Sequence, residues 1–232
     1  MLTLALTAAL FAAQPEQDES TPVVEFPHPL ITEILAVVPK GDDGDANGDG
    51  TRDASTDEFV ELMNPHDEPI EIGGYTISDR NAGGQGAVEF TFPSLTLEPG
   101  EVVVVFNGGG AFADHIGTES APADEKSERF DAWTFVMELS GNFAGFSNKG
   151  DWVLLSDPEG KPVHVVSWGS FKEKLPEGEG LVKETPQDMS GGSLCRYMFG
   201  GPIVGHPALD GKLFSPGKHP IKARMTGDSQ GR

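Results

Sequence analysis

The sequence is short of basic residues: 16 Lys and Arg stand against 37 Asp and Glu in 232 residues, a formal net charge of −21. Nucleic-acid binders need a cationic footprint to displace counterions from phosphates. This balance therefore weighs against direct nucleic-acid binding, and against an anionic membrane surface for the same reason. The natural counter-charges are divalent cations or a basic partner. Cysteine is nearly absent, with Cys195 alone, so no internal disulfide can form. In "SLCRY" it reads as a half-buried thiol in a strand-like run. A catalytic thiol needs a partner His, and no sequence feature nominates one.

Other absences narrow the classes further. Beyond residue 13 no run approaches the ~20 apolar residues of a membrane-spanning helix. No stretch keeps a helical period over three turns, and "PADEKSERF" (122–130) is the one candidate for a short polar helix. No fixed repeat appears, which argues against a solenoid or propeller. There is no H-E-x-x-H and no G-x-S-x-G. The histidines His28, His66, His115, His164, His206 and His219 are too scattered in sequence to form a zinc-type pair. No carboxylate pair for glycoside hydrolysis is singled out.

What is present is turn-rich and strand-like. Gly (30) and Pro (18) are frequent, and 14 Phe supply a core. "LITEILAVV" (30–38) is an apolar run of strand length. "EFVELMN" (58–64) alternates, with Val60 and Leu62 on one face and Glu61 on the other. "PIEIGGYTIS" (69–78) is interrupted by Gly73-Gly74, which marks a bulge or bend. "VEFTFPSLTLEPGEVVVVF" (88–106) holds two or three strands around a Pro99-Gly100 turn. "DWVLLSDPEGKPVHVVSW" (151–168) is a hairpin turning at Asp157-Pro158-Glu159-Gly160. Two excursions interrupt the pattern, 108–132 and 171–192, and the second reads as a surface loop. Many short alternating strands predict an antiparallel sandwich or barrel. Trp133, Trp152 and Trp168 read as core residues of a sandwich, with a carbohydrate-facing surface as the alternative.

The ends read as non-globular. Residues 1–13, "MLTLALTAALFAA", look like the apolar core of a secretory signal, without its usual positive start, and 14–25 follow as a polar linker. The folded domain is expected over 26–222 and a polar tail over 223–232. The expected location is extracellular or the cell envelope.

"EFVELMNPHDEPIEIGGYTISD" followed by "FTFPSLTLEPGEVVVVF" resembles the lamin tail domain family. "NKGDWVLLSDPEGKPVHVVSWG" is similar to that family's penultimate hairpin, and "GGSLCRY" and "FSPGKHP" to its closing strand and end. The resemblance runs in order from about residue 30 to 222, departing at the two excursions. It implies an all-β, immunoglobulin-like antiparallel β-sandwich. It also implies a module of attachment or scaffolding without catalysis of its own. With no heptad rod in the sequence, the chain looks like the secreted prokaryotic-type members rather than a nuclear filament protein.

The stretch "DANGDGTRDASTDE" carries the chemistry. Counted from Asp45 as position 1, Asn47 is 3, Asp49 is 5, Gly50 is 6, Thr51 is 7 and Asp53 is 9, the ligand spacing of an EF-hand-type calcium loop. Alternating side chains on a tightly curled loop converge on one centre, and calcium takes six to eight oxygens. Thr51 offers its backbone carbonyl. Position 12 is Thr56, so Asp57 or Glu58 must supply the closing carboxylate. The alternative is a solvated acidic loop, destabilised by its own repulsion. The expected calcium affinity is of extracellular type, on the order of 10⁻⁵ to 10⁻³ M. A second motif, Gly108, Gly110 and Ala113 as G-x-G-x-x-A, follows a strand but lacks the crossover helix of a dinucleotide site, and reads as a glycine-rich loop.

The sequence thus predicts a secreted binding or scaffold module holding Ca²⁺, with an extracellular protein or polysaccharide as partner. The alternatives are an extracellular calcium-dependent hydrolase and an adhesion module pairing through a sheet edge. The export expectation is checked by N-terminal sequencing of protein from its native host. The mature chain should begin within or near Gln14–Pro22, and an intact Met1 on a cytoplasmic protein would contradict it.

Overall fold

A computed structural model describes residues 24–108, 115–137, 144–186, 191–196 and 201–218. The apolar residues 1–13, the linker up to 23, most of the glycine-rich motif at 108–113, and His219 with the tail lie outside the described residues.

The strands are β1 (Leu30–Leu35), β2 (Phe59–Met63), β3 (Ile70–Glu71), β4 (Thr76–Ser78), β5 (Glu89–Thr91), β6 (Thr96–Leu97), β7 (Val102–Phe106), β8 (Ile116–Gly117), β9 (Trp133–Val136), β10 (Gly150–Ser156), β11 (Pro162–Gly169), β12 (Val182–Glu184), β13 (Leu194–Arg196) and β14 (Ile203–Gly205). A 3-10 turn at Asp42–Gly44 and one short helix, α1 (Pro207–Asp210), complete the described elements. The larger sheet has the order β14-β13-β1-β2-β7-β9-β8. The smaller has β12-β11-β10-β4-β5, and β3 pairs with β6 separately. The expected all-β sandwich is what forms.

The core between the sheets follows from alternation. Val60, Leu62, Val103 and Val105 of the larger sheet meet Ile77, Phe90, Val153, Leu155, Val166 and Trp168 of the smaller. Each large side chain wholly removed from water contributes about 1.5–3 kcal/mol. Phe90, Phe92 and Phe135 stack edge to face at centroid distances of 4.9–6.1 Å. Trp168 is fully enclosed and donates its indole N–H to Ser147 O at 3.2 Å.

The Gly73-Gly74 pair is where the chain leaves β3 and enters β4 in another sheet. Gly74 has φ +83, a left-handed conformation that a side chain would strain. The Pro99-Gly100 turn closes with Glu101 N–H to Glu98 O at 2.9 Å, the i to i+3 bond of a β-turn. Asn64, from "ELMN", is buried and donates to Glu68 O and Leu97 O at 2.9 Å each, tying the end of β2 to β6.

Four local expectations change. Residues 122–130 are not helical; the chain turns back so that Ser127 bridges to Ala132, a return too tight for a helix after Pro122. The 171–192 excursion is not wholly a surface loop, because β12 docks on the edge of β11, parallel to it. β9 likewise runs parallel to β7 and β8, since the first excursion carries the chain back before it re-enters the sheet. Finally, Glu61 faces away from Val60 and Leu62 as expected, but not into water.

That far side of the larger sheet is a second core. Leu35, Phe59, Met63, Val104 and Phe106 are covered by Val38, Ala46, Phe130 and Ala132, with Phe214 packed beside them. Two carboxylates lie buried on this side. Thr32 is the extra residue of a bulge in β1, and its hydroxyl donates to Glu61 Oε1 at 2.7 Å. Gly217 N–H donates to Glu61 Oε2 at 2.7 Å. Glu33 accepts from Ser193 Oγ, Ser215 N and Ser215 Oγ. The C-terminal segment is thereby fastened to β1 and β2 through two acidic side chains.

A buried ion pair joins the sheets at their other edge. Ile31 N–H donates to His164 Nδ1 at 3.3 Å, so Nε2 carries the ring proton and gives it to Glu184 Oε2 at 2.8 Å. Arg196, fully enclosed, bonds both oxygens of Glu184 and Ile31 O. Burial holds His164 below its usual range. Burial works to raise the Glu184 carboxyl, but the His164 bond and the Arg196 charge outweigh it, and its pKa falls to about 2. A depressed carboxyl stabilises the fold above its unfolded pKa and loses that contribution as pH falls through the folded value.

Glu184→Gln should therefore cost about 3 kcal/mol at pH 7. The difference between variant and wild type should shrink as pH drops from 5 toward 2. Urea unfolding midpoints across that range check both, and a difference independent of pH would contradict the ion-pair account.

Candidate functional site: the acidic loop at residues 41–58

The loop connects β1 to β2 and crosses the end of the second core. Its base is closed by Arg52, whose Nε donates to Pro39 O at 3.0 Å and Nη2 to Val38 O at 2.9 Å. Ala46, between Asp45 and Asn47, inserts into the second core.

Above that base the chain winds around its own side-chain oxygens. Asp45 Oδ2 accepts from Gly50 N at 3.0 Å, Asn47 Oδ1 from Asp49 N at 3.0 Å, and Asp49 Oδ1 from Thr51 N at 2.7 Å. Asp53 Oδ1 accepts from Ser55 N and Thr56 N at 2.8 and 3.0 Å, and these bonds hold its carboxyl below the usual range. Gly50 has φ +89, which permits the sharp turn expected at position 6. One oxygen of each of these side chains is thus fixed by the main chain. Asp45 Oδ1 is buried with no hydrogen-bond partner.

Asp57 and Glu58, the two candidates for the closing carboxylate, are separated by the structure. Asp57 faces the loop: its Oδ1 accepts from Asn47 N at 2.9 Å and its Oδ2 from Asp53 N at 2.6 Å. Burial raises its pKa, the loop N–H groups lower it, and the Asp45 charge raises it again. Glu58 instead accepts from Asn107 Nδ2 at 2.7 Å and Phe146 N at 2.9 Å. Burial pushes its carboxyl up to about 9. Adjacent residues entering a strand point to opposite sides, so only one of the two reaches the loop. Arg129, from the first excursion, donates to Gly48 O on the loop's outer turn.

The structure also gathers a group that no spacing announces. Among the described residues, three His, Cys, Asp or Glu side chains bring ligand atoms mutually within 4.8 Å at Glu33, Cys195 and His206. The acidic loop does not form such a group from carboxylates alone, and its ligand set would combine them with Asn47 and main-chain oxygen. Cys195 is fully rather than half buried.

Ser193, His206 and Glu33 have the residue types of a hydrolytic triad but not its geometry. Ser193 Oγ bonds Glu33 Oε1 directly at 2.6 Å, and both oxygens lie on the same ring nitrogen of His206, at 3.1 and 3.2 Å. A triad needs serine and acid on opposite nitrogens. All three side chains are also enclosed. Of the other tryptophans, Trp152 packs on Phe171 and half-buried Trp133 donates to Glu101.

No curated protein matches this chain. The family model of the Lamin Tail Domain matches residues 31–170, from β1 to the end of β11, which is more than half of the sequence. With the sandwich, the "ELMN" anchor and the β10–β11 hairpin in place, the chain belongs to the lamin tail domain family.

Proposed function

We propose that this protein is an exported or surface-associated lamin tail domain acting as a non-catalytic binding or scaffold module, with a calcium ion in the acidic loop serving its structure. The partner class that fits an acidic exported module is an extracellular protein or polysaccharide.

The observation that carries the calcium reading is Asp45 Oδ1, a buried anionic oxygen without a hydrogen-bond donor at the first position of the loop. An acceptor atom cut off from water without a donor is costly. A hard cation removes that cost and suits an all-oxygen set. Asp45, Asn47, Asp49 and Asp53 would hold the ion with Thr51 O, and Asp57 would close the site, since a carboxylate oxygen already taking one N–H keeps a lone pair for a metal. Glu58, bonded to Asn107 and Phe146, supports the base of the loop. Because Ala46 sits in the second core, an ion that fixes the loop also fixes part of the cover over the larger sheet.

An ion that binds the folded state alone stabilises it by about 2.7 kcal/mol at one hundred times its Kd. Thermal unfolding in millimolar calcium against chelator should show a clear rise in Tm, and magnesium should substitute poorly because it demands a tight octahedron. Asp45→Asn keeps an acceptor for Gly50 N–H but removes the charge, so it should abolish most of the calcium shift without lowering ion-free stability. Thr51→Ala should leave the shift intact. Equal Tm values in chelator and calcium would mean a solvated acidic loop.

A further inference from the structure

Glu33, Cys195 and His206 come from β1, β13 and the residue preceding α1, and all three are wholly buried. Glu33 and Cys195 are cross-strand partners, which sets their side chains on the same face of the larger sheet. The ligand atoms of the three residues all lie within 4.8 Å of one another. Glu33 Oε1 and His206 Nδ1 are hydrogen-bonded at 3.2 Å, and the roughly 3.3–3.5 Å between two ligands about 2.0–2.2 Å from a tetrahedral zinc ion needs only a small shift from there. We propose that Glu33, Cys195 and His206 supply three ligands to a borderline transition-metal ion, zinc foremost, at a buried site separate from the calcium loop, the fourth tetrahedral position being left to a small ligand such as water.

The donor set decides the class of ion. Calcium and magnesium take oxygen, whereas a thiolate with an imidazole and one carboxylate selects zinc or its neighbours. A carboxylate and a thiolate carry two negative charges, which neutralise a divalent ion in a buried position. On binding, the thiol proton leaves to solvent, and Nδ1 gives up the proton it shares with Glu33, so that the imidazole ligates in its neutral form with any remaining proton on Nε2.

Glu33 is also held as ligating carboxylates are held. Ser193 Oγ and Ser215 N donate to its Oε1 at 2.6 and 2.8 Å, and Ser215 Oγ donates to Oε2 at 2.9 Å. Cys195 Sγ donates to Arg196 O at 3.8 Å, a weak bond that metal ligation readily replaces. A bound ion would join β1, β13 and the start of α1 at one point, beneath the C-terminal segment that Ser215 anchors. The rival account is a buried Glu–His pair with a thiol beside it.

The chain has one cysteine, which makes the test specific, because any thiolate-to-cobalt charge-transfer band must come from Cys195. The full chain is expressed in cobalt-supplemented or zinc-supplemented medium, purified with calcium present and dialysed against metal-free calcium buffer. The expected result is one retained transition-metal ion per chain and, with cobalt, a near-ultraviolet thiolate band. Cys195→Ser should abolish the band and most of the retained ion, and His206→Gln should sharply lower retention. If no transition metal is retained, the trio is a buried hydrogen-bonded cluster and the proposal fails. Cobalt retained without the thiolate band means an ion on surface carboxylates, which also overturns it. The wild-type spectrum decides the matter even if a variant does not fold.

Discussion

The larger sheet is covered on both faces, and most of the remaining structure answers to that constraint. A sheet that met water on its far side would need no second core. Here Phe59, Met63, Val104 and Phe106 project outward from β2 and β7 and must be enclosed. The enclosure comes from three places in the sequence: Val38 and Ala46 from the acidic loop, Phe130 and Ala132 from the first excursion, and Phe214 from the C-terminal segment. Glu33 and Glu61 share that face, and carboxylates removed from water require donors. Thr32, Ser193, Ser215 and Gly217 supply them. Apolar area and buried polar bonds therefore hold the same cover down.

The acidic loop belongs to this arrangement and is not an appendage to it. Alternate residues serve different masters: Asp45 and Asn47 turn toward the loop's own amides, and Ala46 between them fills the second core. Asp57 closes the loop from below, while its neighbour Glu58 holds the ends of β7 and of the segment at Phe146. Local electrostatics and global packing are coupled within two residues of chain.

Where sequence reasoning succeeded, the determinants were local. Val60 and Leu62 alternate, and the Pro99-Gly100 and Asp157–Gly160 turns announce themselves. Where it failed, the determinant lay far along the chain. The alternation puts Glu61 on the opposite face from Val60 and Leu62, but what that face meets is set by Gly217, far along the chain. Glu184 looks like one charge in a surface loop until Arg196 and His164 meet it. Asp57 and Glu58 could not be ranked, because Asn107 is what draws Glu58 away. No spacing in the sequence relates Glu33 to Cys195 and His206.

The position of β1 between β2 and β13 has a consequence for how the protein is made. Its pairing on one side is complete once residue 63 has been synthesised, but its other edge has no partner until residues 194–196 emerge. Through most of translation the first strand is an open edge, the kind of surface that recruits foreign strands. A charged side chain on an open strand discourages pairing with a second copy, and β1 carries one at Glu33, opposite Cys195 in the finished sheet. Glu33, which the finished domain encloses through Ser193 and Ser215, is on that open strand a charge of the kind that discourages edge-to-edge pairing.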